Sequence, residues 1–345
     1  MTDRLKRLAM STTVLAAAGA LAVATASCGA SAEKDAHAAT KAVHGTNKAN
    51  AARGGTHDTI AFVEGCTCDP YYSTETRGFE AAAKAAGATA IVQGPADFEA
   101  SEQIPVLNAV VQRHPDAIVI DPTDATALTA PINAAIAAGI PVMTTGNNVN
   151  GTKRFTAIAA SSVEGGVLGG DELIAQEPRG GDALFVHITP GISSIDDRYE
   201  GFLKAFDADK KFTVLKPVYA TQDSATQAAS LVSAALTAHP DITAIFASNV
   251  ITAEGAANAV KTAGKVGKIA VLGYDAGPEE VADLKDGTLT ALVSQNPYEI
   301  GQLAVQNTLK YLGGDHSIPL NQPLAPVVIT KASLGNPGTS SLLYQ

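Results

Sequence analysis

The chain predicts an α/β fold built from two similar lobes, and three observations carry that reading. First, one unit occurs twice: RGF at Arg77 to Phe79 leads to RHPDAIVIDP and AAGIPVMTTG, and RYEGF at Arg198 to Phe202 leads to AHPDITAIFASN and KIAVLGYD. Second, the strand-like segments are continuous apolar runs separated by Ala-rich helical stretches, the pattern of parallel strands covered on both faces. Third, polar residues stand where those runs end. Two copies of such a unit imply two lobes facing each other across a cleft that can hold a small molecule.

The elements follow in order. TIAFV (Thr59 to Val63) reads as a buried strand, followed by the loop EGCTCDPYY. Phe79, Ala82, Ala83 and Ala86 fall at helical spacing, and Gly87 ends that helix. TAIVQG, AIVIDP, IPVMTTG and FTAIAAS are further strands. SVEGGVLGGDELIAQ reads as a helix in which Gly165, Gly166, Gly169 and Gly170 allow close packing on a neighbour; their spacing is not that of a dinucleotide-binding loop. The second half repeats the scheme through ALFVHI, FTVLKPVY, ITAIFASN, KIAVLGYD and LTALVSQ.

At the N-terminus, Arg4, Lys6 and Arg7 precede a mostly apolar stretch over residues 8–26, and small residues lead into Cys28. This is the layout of a secretory signal. VATASC resembles a bacterial lipoprotein lipobox, with Thr25 where Leu is more usual, so residues 1–27 are expected to be removed and Cys28 to carry lipid. A membrane-spanning helix and an ordinary signal peptidase site are the alternatives; Ser11, Thr12 and Thr13 weaken the stretch as a span. Everything after Cys28 is then expected outside the cytoplasm, touching the membrane only through the anchor. Residues 28–58 have almost no large apolar side chain and read as a flexible tether. His37, His44 and His57 lie in it, at spacings that match no compact metal-ligand set.

The chain is 46% hydrophobic and 17% charged, with a formal net charge of -10. The acidic balance argues against nucleic acid as a partner. No GxSxG elbow, HExxH pair, phosphate loop or His/Cys/Asp set is present, so neither catalysis nor a cofactor is expected. A DNA-binding regulator of related fold is disfavoured, because an export signal stands where a helix-turn-helix would lie.

From Thr59 to about Thr330 the chain resembles the type I periplasmic sugar-binding proteins of ABC transporters, the group containing the ribose-binding proteins. The motifs that carry this are DPYY, AIVIDPTDATAL, AAGIPVMTTGNN, EGGVLGGD, DRYEGF, TAHPDITAIFASN, VLGYDAGPE and LVSQNPYEIG, in that order. The resemblance implies two doubly wound parallel-sheet lobes joined by a three-segment hinge, with crossings near Ser161, Asn296 and Pro326. The N-terminal lobe is then 59–161 with 296–325, and the C-terminal lobe 162–295 with 326–345.

A sugar presents paired hydroxyls and patches of C–H surface, so its site needs bidentate polar groups and aromatic faces. The resemblance implies that Asp69, Tyr71 and Tyr72 meet the ligand from the loop after the first strand, although one Tyr packing beneath the loop is the bland alternative. It likewise implies ligand roles for Arg198, Asn249, Asp275 and Gln295. For Arg198 the alternative is a salt bridge to Asp196, Asp197 or Glu200; for Asn249 and Asp275 it is capping or turn formation. Ribose-type members carry Asp-Arg where this chain has Gly146-Asn147-Asn148, which removes a carboxylate and a guanidinium and leaves Asn147 as the candidate. Gln222 and Asp223 are weaker candidates that could equally cap a helix near Ala225. Cys66 and Cys68 are open to three readings: a disulfide, a free dithiol, or half of a metal shell. The function implied is a monomeric lipoprotein receptor. It captures a monosaccharide or polyol by hinge closure and presents it to an ABC permease with its cytoplasmic ATPase. The alternative is a chemosensory or quorum-signal sensor on the same fold.

Overall fold

The computed structural model describes residues 57–221 and 224–345. The expected signal peptide, Cys28, the tether as far as residue 56, and the candidates Gln222 and Asp223 lie outside the described residues.

In chain order the first half runs β1 (Thr59–Val63), α1 (Pro70–Ala86), β2 (Thr89–Gln93), α2 (Ala100–Val111), β3 (Ala117–Ile120), α3 (Thr129–Ala137), β4 (Val142–Thr145) and β5 (Ala157–Ala160). The second runs α4 (Ser162–Gln176), β6 (Gly181–His187), α5 (Ser193–Ala208), β7 (Phe212–Val214), β8 (Val218–Tyr219), α6 (Ala225–Ala238), β9 (Ile242–Ala247), α7 (Val250–Thr262), β10 (Ala270–Tyr274), α8 (Pro278–Asp286) and β11 (Ala291–Ser294). The chain then adds α9 (Pro297–Leu312), β12 (Asn321–Leu324), β13 (Val327–Thr330) and a 3-10 turn over Ser340–Leu342.

These elements make two sheets. One has the order β12-β5-β4-β3-β1-β2 with every neighbour parallel. The other has the order β13-β11-β10-β9-β6-β7, with β8 also on β6. Both therefore run second-first-third-fourth-fifth from one side, the doubly wound order whose direction reverses beside its first strand. The chain passes between the sheets after β5, after β11 and after β12. β13 pairs antiparallel to β11, from Ala291↔Thr330 to Ser294↔Val327, which ends the parallel pattern at that edge. FTVLKPVY forms two short strands rather than one, because Pro217 can donate no ladder hydrogen bond.

The strand sequences explain their burial. β3 (AIVI) and β10 (AVLGY) are buried at every position, as a strand covered by helices on both faces must be. Asp58, the last residue of the expected tether, is buried, and its carbonyl accepts from Thr89 N.

Each lobe locks its first helix against a partner by a pair of glycines. In one lobe Gly78 on α1 lies against the Tyr298 carbonyl, and Gly301 on α9 lies against the Glu75 carbonyl. In the other, Gly166 on α4 lies against the Arg198 carbonyl and the Gly201 Cα of α5. A methyl group at any of the four would overlap backbone, so the absence of a side chain sets the interhelical distance. Gly166→Ala is accordingly expected to destabilise the protein by about 1–3 kcal/mol, read from the midpoint of urea unfolding. An unchanged midpoint would show that α4 and α5 can separate at little cost.

Candidate ligand-binding site

Parallel strands present their C-terminal ends to the crevice, and the loops beside the reversal point of each sheet are the ones free to hold a ligand. In this protein those ends face each other. Between them lies a cavity of about 40 Å³, bordered by Asp69, Tyr71, Tyr72, Phe98, Asp121, Gly146 and Asn147 from one lobe, by Ile188, Ile192, Ser194, Ile195, Arg198, Asn249 and Asp275 from the other, and by Gln295 at a crossing. Eight of the ten ligand candidates named from sequence thus border one cavity; the other two, Gln222 and Asp223, are outside the described residues. The lobes also touch at its mouth. Ala125 N donates to Gly191 O, Asn148 N to Ser193 Oγ at 2.9 Å, and Ser194 N to Asn147 Oδ1 at 3.2 Å.

Asp69 caps α1, its Oδ1 accepting from Tyr71 N at 2.8 Å, and Pro70 occupies the first helical turn. The helix start aims Tyr71 and Tyr72 inward, where their rings meet edge to face. Tyr72 stacks on Phe98, an aromatic wall that Gly65 makes possible, since a Cβ there would overlap both rings. Cys66 and Cys68, immediately before Asp69, are joined by a disulfide. Of the three readings of these cysteines, the structure shows the first.

Arg198 is buried. Its Nη1 donates to Ser248 O at 2.6 Å, and its guanidinium lies 3.7 Å over the Tyr274 ring, whose hydroxyl fits beneath Gly165 of α4. The neighbouring acids take other partners, Asp196 with His187 and Glu200 with Lys204. Asn249 does cap α7, through a reciprocal capping box with Thr252. Its Nδ2 has no hydrogen-bond partner within the protein, so the cap leaves one donor group of this side chain unused. Asp275 sits at φ 85, a left-handed conformation that costs a non-glycine residue about 1–3 kcal/mol. It is held by Asp275 N donating to Val293 O, and by Gln295 Nε2 and Tyr344 Oη donating to its Oδ1 at 2.6 and 2.8 Å.

Among the residues that escaped the sequence reading, Asp121 and Tyr344 bear most on the polar groups of the site. Asp121 ends β3 as Asp275 ends β10, so the rule that found Asp275 also picks out Asp121. It is 1% exposed; its Oδ1 accepts from Asn147 N and Nδ2, while Oδ2 has no partner within the protein. Gly146, at φ 57, leaves the space that this carboxylate fills. The carboxylate missing from the Gly146-Asn147-Asn148 segment is thus supplied by the adjacent strand, but the guanidinium is not. Tyr344 gave no local signal. The tail after β13 folds back so that Tyr344 is buried under Asp275 and Gln295, while Gln345 bonds Thr74 and Arg77 of α1. The segment 326–345, expected wholly in the C-terminal lobe, therefore also contacts the first helix of the other lobe.

Burial dominates the electrostatics. Desolvation, then the nearby Asp275, lifts Asp69 to about 7, and desolvation lifts Asp121 to about 8 against the hydrogen bonds from Asn147 and the charge of Arg198. Glu280, buried on α8, is lifted to about 8 for the same reason. A carboxyl raised in the folded state binds protons that the unfolded chain has already released. Stability is therefore full at about pH 4 and is lost as pH rises toward 8. The ligand-free protein is expected to melt higher at pH 5 than at pH 8, and Asp121→Asn should shrink that difference. An equal melting temperature at the two values would contradict the assigned burial. Tyr344→Phe removes one of two donors to Asp275, and such a bond to a charged group contributes about 1.5–3 kcal/mol. The variant should lose stability by up to that amount in chemical unfolding and leave helix content by circular dichroism unchanged.

The periplasmic binding protein domain model matches residues 60–316. The chain is 33% identical over 258 residues to the ribose import binding protein of Salmonella typhimurium, covering 75% of this chain and 86% of that protein. An ABC transporter solute-binding protein from Agrobacterium vitis, solved with α-D-tagatopyranose, superposes with a TM-score of 0.80 at 34% identity over 84% of this chain and 99% of that one. One from Agrobacterium radiobacter, solved with D-arabinose, gives 0.79 at 27% identity over 83% and 99%. With two doubly wound lobes closing on a polar cavity, and with these likenesses along most of its length, the chain belongs to the type I periplasmic sugar-binding proteins of ABC transporters.

Proposed function

We propose that this protein is an extracytoplasmic lipoprotein receptor, acting as a monomer, that captures a monosaccharide or polyol by closure of its lobes and delivers it to an ABC permease. The observation that carries the reading is the cavity itself, in which aromatic faces from one lobe meet fixed polar groups from the other. Tyr71, Tyr72 and Phe98 offer flat surface for C–H groups. Asn147, Asn249, Gln295, Arg198 and the three aspartates offer donors and acceptors for hydroxyls. Relatives named as ribose import binding proteins, and similar structures solved with D-arabinose and tagatopyranose, support a carbohydrate of this size. Location outside the cytoplasm accords with that family, and Cys28 would hold the receptor beside its permease.

Closure follows from the division of contacts. A ligand bonded to Asp69, Tyr71 and Asn147 on one side and to Arg198, Asn249 and Asp275 on the other gains its full set only when the lobes meet, so its differential affinity shifts the population toward the closed form. The protein is expected to bind a neutral or amino monosaccharide or a polyol in a thermal-shift and calorimetric panel, with a fall in radius of gyration in solution scattering. Arg198→Ala should weaken that binding by about 1.5–3 kcal/mol or more, because it strands desolvated partners. No binding by any sugar or polyol, or tight binding indifferent to Arg198, would remove the receptor reading. Cys28→Ala should abolish membrane retention in cell fractionation.

A further inference from the structure

The charges around the cavity do not balance. Asp69, Asp121 and Asp275 border it, and Arg198 is the one cation among the bordering residues. Asp275 is served by Gln295 and Tyr344, and Arg198 already spends one donor on the Ser248 carbonyl and one face on Tyr274. The other lobe contributes carboxyl groups and no cation. There, Asp121 Oδ2 is buried and unpartnered, as is the Tyr71 hydroxyl, and Glu75 lies wholly buried on α1 behind them beside Thr145. Burial, only partly offset by Arg198, lifts Asp69 and Asp121 toward neutrality, and Glu75 is raised by burial and by Asp121. A neutral hydroxyl offers such a group one hydrogen bond and no charge, so the carboxyl stays protonated. A protonated amine supplies the charge and three donors at once.

We propose that the ligand is an amino sugar, its ammonium group seated against Asp121 Oδ2 on the first lobe while its hydroxyls are held by Arg198, Asn249 and Asp275 on the second. This rests on the sugar-receptor reading above and narrows it. The Tyr72–Phe98 stack leaves the ring a flat C–H contact. When the ammonium arrives, Asp121 ionises against it and its proton leaves to solvent, so binding is coupled to proton release.

The test is calorimetry at pH 6.5 on the intact mature chain, with D-glucosamine, D-galactosamine and D-mannosamine set against D-glucose, D-galactose and D-mannose, together with D-ribose, D-allose and N-acetyl-D-glucosamine. At least one amine should bind 10-fold or more tighter than its parent sugar. Titrations in two buffers of different ionisation enthalpy should show net proton release for the amine and not for the parent. Asp121→Asn should bring the amine-to-parent ratio close to one. A neutral sugar that binds as tightly as its amino counterpart overturns the amine assignment and leaves the receptor reading intact. A preference that survives Asp121→Asn overturns the placement of the ammonium. Failure of every sugar in the panel overturns the amine assignment, and the receptor reading falls with it when the wider sugar and polyol panel fails as well.

Discussion

One buried guanidinium organises the rest of the molecule. Taking Arg198 out of water carries a desolvation cost of several kcal/mol, which is tolerable only if its surroundings return comparable electrostatic and hydrogen-bonding stabilisation. The Tyr274 ring beneath it, the Ser248 carbonyl at its edge and the aspartates around the cavity do so together. Each of these groups is placed by an element that packing has fixed first. Tyr274 ends a fully buried strand, Ser248 follows another, and α5 carries Arg198 at a distance set by the contact of Gly166 with Gly201. A substitution that shifts α5 by a fraction of an ångström therefore reaches the cavity through the guanidinium.

The duplication explains why so much of this was legible in sequence. A parallel sheet requires apolar runs, a run must end where it meets water or ligand, and in a doubly wound lobe those ends point into one crevice. Asn249, Asp275 and Gln295 could be picked out because each stands at the polar end of such a run. Asp121 obeys the same rule but was not singled out. Asn249 shows the limit of choosing between roles: its Oδ1 caps a helix and its Nδ2 faces the cavity, so neither reading excludes the other.

What sequence could not supply depends on contacts between distant segments. Tyr344 lies 69 positions from Asp275. Nothing in LLYQ marks a residue that reaches a buried carboxylate, because the tail's path is set by Ser294 Oγ donating to Leu342 O and by Tyr344 N donating to Ala276 O. The apolar lining by Ile188, Ile192 and Ile195 was equally silent, since an Ile beside a cleft has the same local pattern as one in a core. The disulfide of Cys66 and Cys68 stood among three chemical possibilities that two thiols in a loop satisfy alike.

The position of that tail bears on how the lobes can move. Tyr344 and Gln345 touch both lobes close to the crossings after β11 and β12, so a rotation about those crossings displaces them little. The contacts that a rotation must break are at the opposite side of the cavity, where Asn147, Asn148 and Ala125 meet Ser194, Ser193 and Gly191 through single hydrogen bonds. Each contributes about 0.5–1.5 kcal/mol net. Against them stands the cost of enclosing three carboxyl groups with one guanidinium. The first opposes opening and the second opposes closure without ligand. A ligand shifts that balance by its preference for the closed form, and a group that neutralises the enclosed carboxylates supplies that preference where the imbalance lies.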